Sequence, residues 1–380
     1  MIERDIDRLL LVCVKARYDR EALDEARRIV RDGQVSWERF LQQAAEHAVA
    51  PLIYDTLRDD SDPLPPWVKE ELRTAYYQAA ARNTLFCAEL TAIVRWFHQA
   101  NISIILLKGA ALAQGTYRNL ALRPMSDLDL LVPSELMLRA EELLARRGYA
   151  VLEGAESHLR HMTFENPNSV AGTHVEIHSH IVSSPYYRRA IPEEWLWRDP
   201  VVLLVDGVRA LTLSCEASIV HSCLHFLDHI GTRGTLLWLC DIAEVARDTD
   251  LGWDSLAQTL GEFKIALPVR SVLLECQELL GLPIPADPWR QLLSYRPGFA
   301  ENKAYQFCLS PRRSTASKTF FDFLTTDGLR ARTRLLSSRL LPSSEYMIKR
   351  YSLRNARLVP LYYPRMILEA ALDGLRALRR

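Results

Sequence analysis

Residues 106–132 read LLKGAALAQGTYRNLALRPMSDLDLLV. The stretch opens on an apolar strand that runs into Lys108-Gly109, and closes on a second strand carrying Asp127 and Asp129 inside an apolar run. Alternate residues of a strand point to the same side. The two carboxylates therefore share a face and repel each other unless a cation or solvent separates them. AALAQGTY between the strands has helical character and ALRPM is a turn.

Working outward, ISIILL (102–107) is predicted as a strand and SDLDLLV as the next. Pro133-Ser134 opens a helix over ELMLRAEELLARRG, with Gly148 as its stop. YAVLE, HMTFEN and THVEIHSHIV are expected as strands, and VVLLVDGVRALTL as a hairpin turning at Asp206-Gly207. This mixture predicts an α+β fold: a small mixed-sheet core over residues 101–212. Helical regions flank it. Residues 1–100 carry helical spacing in WERFLQQAAEHAVAPLIYDTL, with Ser36 as N-cap, and one or two long helices over 67–98. Residues 213–285 hold SCEASIVHSCLHFLDHI and GTLLWLCDIAEVARDT, a helical domain expected to close over the core. Residues 286–380 form a last helical region; beyond Leu329 it holds twelve Arg and Lys against three acids.

The chain has 380 residues and equal numbers of acidic and basic side chains, so net charge points to no class of partner. The first residues, MIERDIDRLL, lack the basic-then-apolar pattern of a secretory signal. No apolar run approaches the length of a membrane-spanning helix. Seven cysteines without C-x-x-C spacing suit free thiols in a reducing compartment. Together these predict a cytoplasmic protein.

In THVEIHSHI (173–181), Val175, Ile177 and Ile181 alternate with His174, Glu176, His178 and His180. If this strand lies beside SDLDLLV with polar faces matched, Glu176 joins Asp127 and Asp129. Three carboxylates on adjacent strands can hold two divalent cations about 4 Å apart, the arrangement used in phosphoryl and nucleotidyl transfer. Lys108-Gly109 at a helix start offers backbone N–H groups and a point charge to an anion, and Arg123 offers a second cation. Alone, the two aspartates fit a solvated edge-strand face equally well, and Lys108 fits a salt bridge to a neighbouring carboxylate. His174, Glu176 and His178 also suit zinc, with ligands needed from elsewhere. His221, His225 and His229 recur every four residues on one helix face; they serve either as packed core residues or, with Arg233 and Asp241, as lining of the cleft. His158 and His161 are further candidates near the site.

These motifs resemble the nucleotidyltransferase superfamily typified by DNA polymerase beta. More closely, LLKGAAL, LRPMSDLDLLV, EELLARRGY, VEIHSH, HSCLHFLDH and LLWLCDIAEV are similar to the uncharacterised nucleotidyltransferase family of bacteria, over roughly residues 36–280. The resemblance implies transfer of a nucleoside monophosphate from a nucleoside triphosphate such as ATP to an acceptor, releasing pyrophosphate. It implies Mg²⁺, with Mn²⁺ as a substitute, on Asp127, Asp129 and Glu176. It assigns the triphosphate to Gly109 and the following backbone, with Lys108 and Arg123 on the phosphates and Ser126 and Ala110 beside them. Read from their spacing alone, His178, His221 and His225 are candidates for lining the cleft, with His178 packing beside the metal site or orienting an acceptor. Ala110 departs from the superfamily's Gly or Ser and removes a hydroxyl ligand. Asp127→Asn or Asp129→Asn is expected to abolish transfer with little loss of fold. Two other readings stay open: adenylylation of a protein or tRNA, as in some toxin–antitoxin systems, and a catalytically silent nucleotide-binding or scaffolding module. Aromatic residues are sparse in the basic C-terminal region outside LYYPR, which gives a nucleic-acid surface little support.

Overall fold

The computed structural model describes residues 8–32, 35–59, 64–152, 161–169, 172–230 and 235–309, with shorter stretches between 323 and 378. Four helices, Arg8–Lys15 (α1), Arg20–Asp32 (α2), Trp37–Glu46 (α3) and Ala50–Thr56 (α4), lead into one long helix, Pro66–Gln99 (α5). Proline at its first turn lacks the N–H that would go unpaired there anyway. At 1.5 Å per residue α5 is about 51 Å long, long enough to serve two cores. Val68 and Leu72 near its start belong to one, and Phe86, Leu90, Ile93 and Phe97 to the other.

Among the described residues seven strands follow, in the order β3-β4-β5-β2-β1-β7-β6. They are Ile105–Leu106 (β1), Asp127–Leu131 (β2), Ala150–Val151 (β3), His161–Glu165 (β4), His174–His178 (β5), Val201–Val205 (β6) and Val208–Thr212 (β7). The sheet is mixed: β2 runs parallel to β5 and antiparallel to β1, and β4 runs antiparallel to β5. The β6–β7 hairpin turns at Asp206 and Gly207, both at positive φ, the backbone that the two-residue hairpin requires. β1 is shorter than the run ISIILL suggests, although the Leu107 N–H still donates to the Asp129 carbonyl at 2.9 Å.

Helices Lys108–Gly115 (α6) and Met137–Arg146 (α7) interleave with the strands; α7 is followed by Gly148 at φ +89°. Beyond two short helices, Pro185–Ala190 (α8) and Glu193–Leu196 (α9), come Cys215–Asp228 (α10), Thr235–Ala246 (α11), Trp253–Glu262 (α12), Ala266–Leu280 (α13), Ala286–Ser294 (α14) and Phe299–Leu309 (α15). Ser214 caps α10 by accepting from the Ala217 N–H, as a helix start asks. Ser36 occupies the cap position of α3 without a side-chain hydrogen bond.

One core joins α1–α4 and the start of α5 to α10–α15. The second joins the rest of α5 with α6, α7 and one face of the sheet: Leu128 and Leu130 of β2, Val175 and Ile177 of β5, Met162 and Phe164 of β4. A small third cluster, Met347, Val359 and Met366, lies in the C-terminal helices Ser344–Tyr351 and Val359–Leu378. Among the described residues no helix is long and apolar enough to cross a membrane. All seven cysteines are free thiols.

Candidate active site

The faces of β2, β5 and β4 opposite that second core carry the polar residues, because side chains alternate along every strand. Asp129 pairs with Glu176 across the parallel ladder, and Glu176 with Thr163 across the antiparallel one. Asp127 lies opposite His174, and His178 opposite His161. The polar faces match as the sequence requires. Asp127, Asp129 and Glu176 each bring a carboxylate oxygen within 4.8 Å of the others. An all-oxygen donor set of this kind fits a hard divalent cation such as Mg²⁺.

The surrounding cations decide the charge state of the three acids. Lys108 Nζ lies 2.7 Å from Asp129 Oδ1, and His178 Nε2 lies 2.9 Å from the same oxygen. Asp129 is 1 % exposed. Burial alone would raise its carboxyl, but Lys108 and His178 outweigh that and hold it low. Glu176 is likewise held low against its burial, by hydrogen bonds from His161 at 2.9 Å and His178 at 3.5 Å. Asp127 differs. It accepts a hydrogen bond from the Ser126 hydroxyl at 3.0 Å, and burial plus the neighbouring Asp129 push its carboxyl up. The site thus holds one carboxylate whose charge is poorly compensated, a condition that a bound cation relieves.

Lys108 sits at φ +46°, a left-handed conformation that costs a non-glycine residue about 1 kcal/mol or more. Strain of this kind persists where the surroundings impose it. Gly109 follows, buried, and a Cβ there would meet Arg123 Nη1 and Met125 Cγ at 2.9 Å each. Close packing on Arg123 therefore accounts for Gly109 independently of any phosphate. Ala110 is buried as well.

Arg123, read from the sequence as a phosphate contact, has its donors engaged inside the fold. Nη2 and Nε lie 2.9 and 3.2 Å from Asp241 Oδ2, and Nη1 donates to the Pro124 carbonyl at 2.7 Å. The Tyr117 hydroxyl completes Asp241 at 3.0 Å from Oδ1. Burial works against the Arg123 charge, and Asp241 more than restores it. Arg123 thus backs Gly109 and locks α11 to the turn before β2.

Among the histidines, His221 is 5 % exposed. Its Nδ1–H donates to the Ile181 carbonyl at 3.0 Å, which leaves Nε2 as a lone pair without a partner among the described residues. Burial, with Lys108 nearby, pushes it down to about 3. It lines a small cleft with Lys108, Ser222, His225, Trp238 and Asp241. His225 and the exposed His229, just past the helix end, pack against Trp238. His180 leaves the strand face and donates to the Ile191 carbonyl at 3.0 Å. His174 is exposed at the strand end. His161, more weakly marked in the sequence, lies directly against Glu176, whereas His158 and Arg233 fall outside the described residues.

A search of curated proteins finds no match. Among solved structures, an antigenic nucleotidyltransferase-like protein from Paracoccidioides brasiliensis aligns at 14% identity over 53% of this chain and 94% of its own, with a TM-score of 0.36; the likeness is too distant to carry an argument. The pattern of the family described as "Uncharacterised nucleotidyltransferase" matches residues 33–281. The match takes in the whole sheet, α6, and the α10–α11 pair, and the chain belongs to that nucleotidyltransferase family.

Proposed function

We propose that the chain transfers a nucleoside monophosphate from a nucleoside triphosphate to an acceptor hydroxyl or phosphate, with residues 101–212 as the catalytic unit. The observation that supports this most is the convergence of Asp127, Asp129 and Glu176 from β2 and β5. These three residues would hold Mg²⁺, which when bound neutralises phosphate charge and lowers the pKa of a coordinated oxygen nucleophile, in the manner of two-metal sites. The acceptor oxygen attacks the α-phosphorus, the new P–O bond forms, and the bond to the β-phosphoryl oxygen breaks. Pyrophosphate leaves with the electron pair, and the acceptor's proton passes to solvent.

The chain's own part is positioning and charge compensation, which is most of what phosphoryl chemistry asks of a protein. Lys108, 19 % exposed at its side chain, compensates Asp129 before substrate arrives and is the nearest ammonium to reach a phosphate when a metal takes its place. Arg123 and Asp241 hold Gly109 and the β2 turn in register. His178 keeps Asp129 and Glu176 at their spacing.

The test is thermal unfolding with ATP, GTP, CTP and UTP, with and without Mg²⁺, for the wild type and Asp127→Asn. A ligand at 100 times its dissociation constant stabilises by about 2.7 kcal/mol. A Mg²⁺-dependent rise in midpoint that Asp127→Asn loses is the expected result. No rise with any nucleotide would sink the catalytic reading. A rise without pyrophosphate release, whatever acceptor is supplied, would favour a silent nucleotide-binding module.

A further inference from the structure

Beside the three carboxylates lies a second set of donors of different chemistry. His161 and His178 stand directly opposite each other on β4 and β5. Their rings stack with centroids 4.6 Å apart and planes within 11° of parallel; His161 turns Nε2 to Glu176, whereas His178 Nε2 stands between Asp129 Oδ1, at 2.9 Å, and Glu176. His161 Nε2 lies 2.9 Å and His178 Nε2 3.5 Å from Glu176 Oε2, and all three ligand atoms lie within 4.8 Å of one another. A tetrahedral ion with bonds of about 2.0–2.1 Å spaces its ligands about 3.3 Å apart. The two nitrogen–oxygen distances bracket that spacing, and convergence of both lone pairs on one ion requires the stacked rings to turn out of their parallel planes.

The donor type decides which ion fits. Mg²⁺ takes oxygen ligands and keeps its waters, so two imidazoles suit it poorly. Imidazole nitrogen with one carboxylate is the set that zinc, cobalt and their first-row neighbours prefer. Three protein ligands leave a fourth position free, as in zinc sites that bind water or substrate. That position has an outlet, since the His161 side chain is 39 % exposed. The frame is rigid, because both histidines and Glu176 project from paired strands. Thr163 lies 3.4 Å from Glu176 Oε1 and orients the carboxylate, the kind of support that metal ligands commonly have.

We infer that His161, His178 and Glu176 form a binding site for a zinc-class divalent ion, next to the carboxylate site and sharing Glu176 with it. The ion replaces the Nε2 protons that now bridge His161 to Glu176 and His178 to Asp129 and Glu176, and its open position faces solvent at the β4 edge of the site. Glu176 thereby links two ions of different preference, one held by oxygen alone and one by nitrogen and oxygen.

Co²⁺ is the probe, because its visible ligand-field absorption reports nitrogen ligation and low coordination number directly. Chelator-treated full-length protein is titrated with Co²⁺ in the presence of millimolar Mg²⁺. The expected result is one Co²⁺ per chain with the intense visible spectrum of a four-coordinate ion, bleached by one equivalent of Zn²⁺. His161→Ala and His161→Gln should each weaken Co²⁺ binding by more than the about 100-fold typical of losing a mere supporting partner. The metal-free unfolding midpoints of both variants show whether each is folded. Asp127→Asn should keep the Co²⁺ spectrum while losing the Mg²⁺-dependent nucleotide shift. No visible spectrum in the wild type, a spectrum that survives in both folded His161 variants, or displacement of Co²⁺ by Mg²⁺ would overturn the site. A spectrum lost in Asp127→Asn would assign the ion to the carboxylate site instead. Loss of the nucleotide response with retention of the Co²⁺ spectrum would count against the catalytic reading alone.

Discussion

Two buried ion pairs sit on either side of Gly109, and they are built differently. On the helix side, Arg123 meets Asp241 through two nitrogens, and Tyr117 and the Pro124 carbonyl take up further groups. On the sheet side, Lys108 meets Asp129 through one ammonium, with His178 on the same oxygen and a cleft alongside. A planar fork locked at several points is fixed in place, whereas a point charge on a flexible stem is able to let go. The first pair serves the fold. The second pairs a buried carboxylate with an ammonium on a flexible stem, the property on which the proposed cation site rests.

The largest effect expected from that difference is on chemistry. Asp127→Asn should lower pyrophosphate release at least about 10³-fold, because a metal site supplies several kcal/mol of charge stabilisation. Its unfolding midpoint should hold or rise, since neutralising Asp127 relieves its repulsion with Asp129. Asp129→Asn should lose transfer and stability together, because it takes from Lys108 its ion-pair partner and from His178 the nearer of its two carboxylates. Here the structure departs from the equal, fold-neutral effect that the sequence suggests for the two aspartates. A stable Asp129→Asn variant would break the comparison.

Next in size is Asp241→Ala. It strands Arg123 as a buried unpaired charge and should cost about 3–5 kcal/mol, read as a lowered urea midpoint. If it unfolds like the wild type, the helix-side pair is not structural.

The third test uses pH. Burial pushes His180 down to about 4 and His221, with Lys108 adding, down to about 3. Both are therefore neutral in the fold, while in the unfolded chain ordinary imidazoles take protons near pH 6.5. Stability is fully present above that pH and falls as pH drops from 6.5 toward 4. At about 1.4 kcal/mol per pH unit, each histidine removes about 3 kcal/mol by pH 4. His180→Gln should flatten the slope of stability against pH over this window; an unchanged slope would show that His180 is already solvated.

The smallest expected effect joins the two pairs. Gly109→Ala drives a methyl group against Arg123 and Met125, and overpacking of this kind costs about 1–3 kcal/mol. A larger loss in nucleotide response than in stability would show that Gly109 also serves the phosphates.

Much of the sheet was legible because its signals are local. The alternation in SDLDLLV and VEIH sets Asp127, Asp129 and Glu176 on polar faces, and Asp206-Gly207 writes its own hairpin. Gly148 marks the stop of α7 in the same way. The strand is shorter than the alternation in THVEIHSHIV suggests: it ends at His178, and His180 finds a carbonyl partner inside the fold. The one-helix form of residues 66–99 was not decided by periodicity, since a break and a continuous helix share the same apolar spacing.

What the sequence determined alone is the set of donors and the face each occupies, because side-chain alternation is a property of the strand itself. The partners were decided only by tertiary pairing. Glu176 meets Asp129 because β5 lies parallel to β2 in one register, and a slip of one residue would turn its carboxylate into the core. His161 faces His178 through the antiparallel ladder, and Arg123 finds Asp241 across 118 residues. No local pattern encodes those distances; they exist once the two cores close and leave a buried charge only one place to be satisfied.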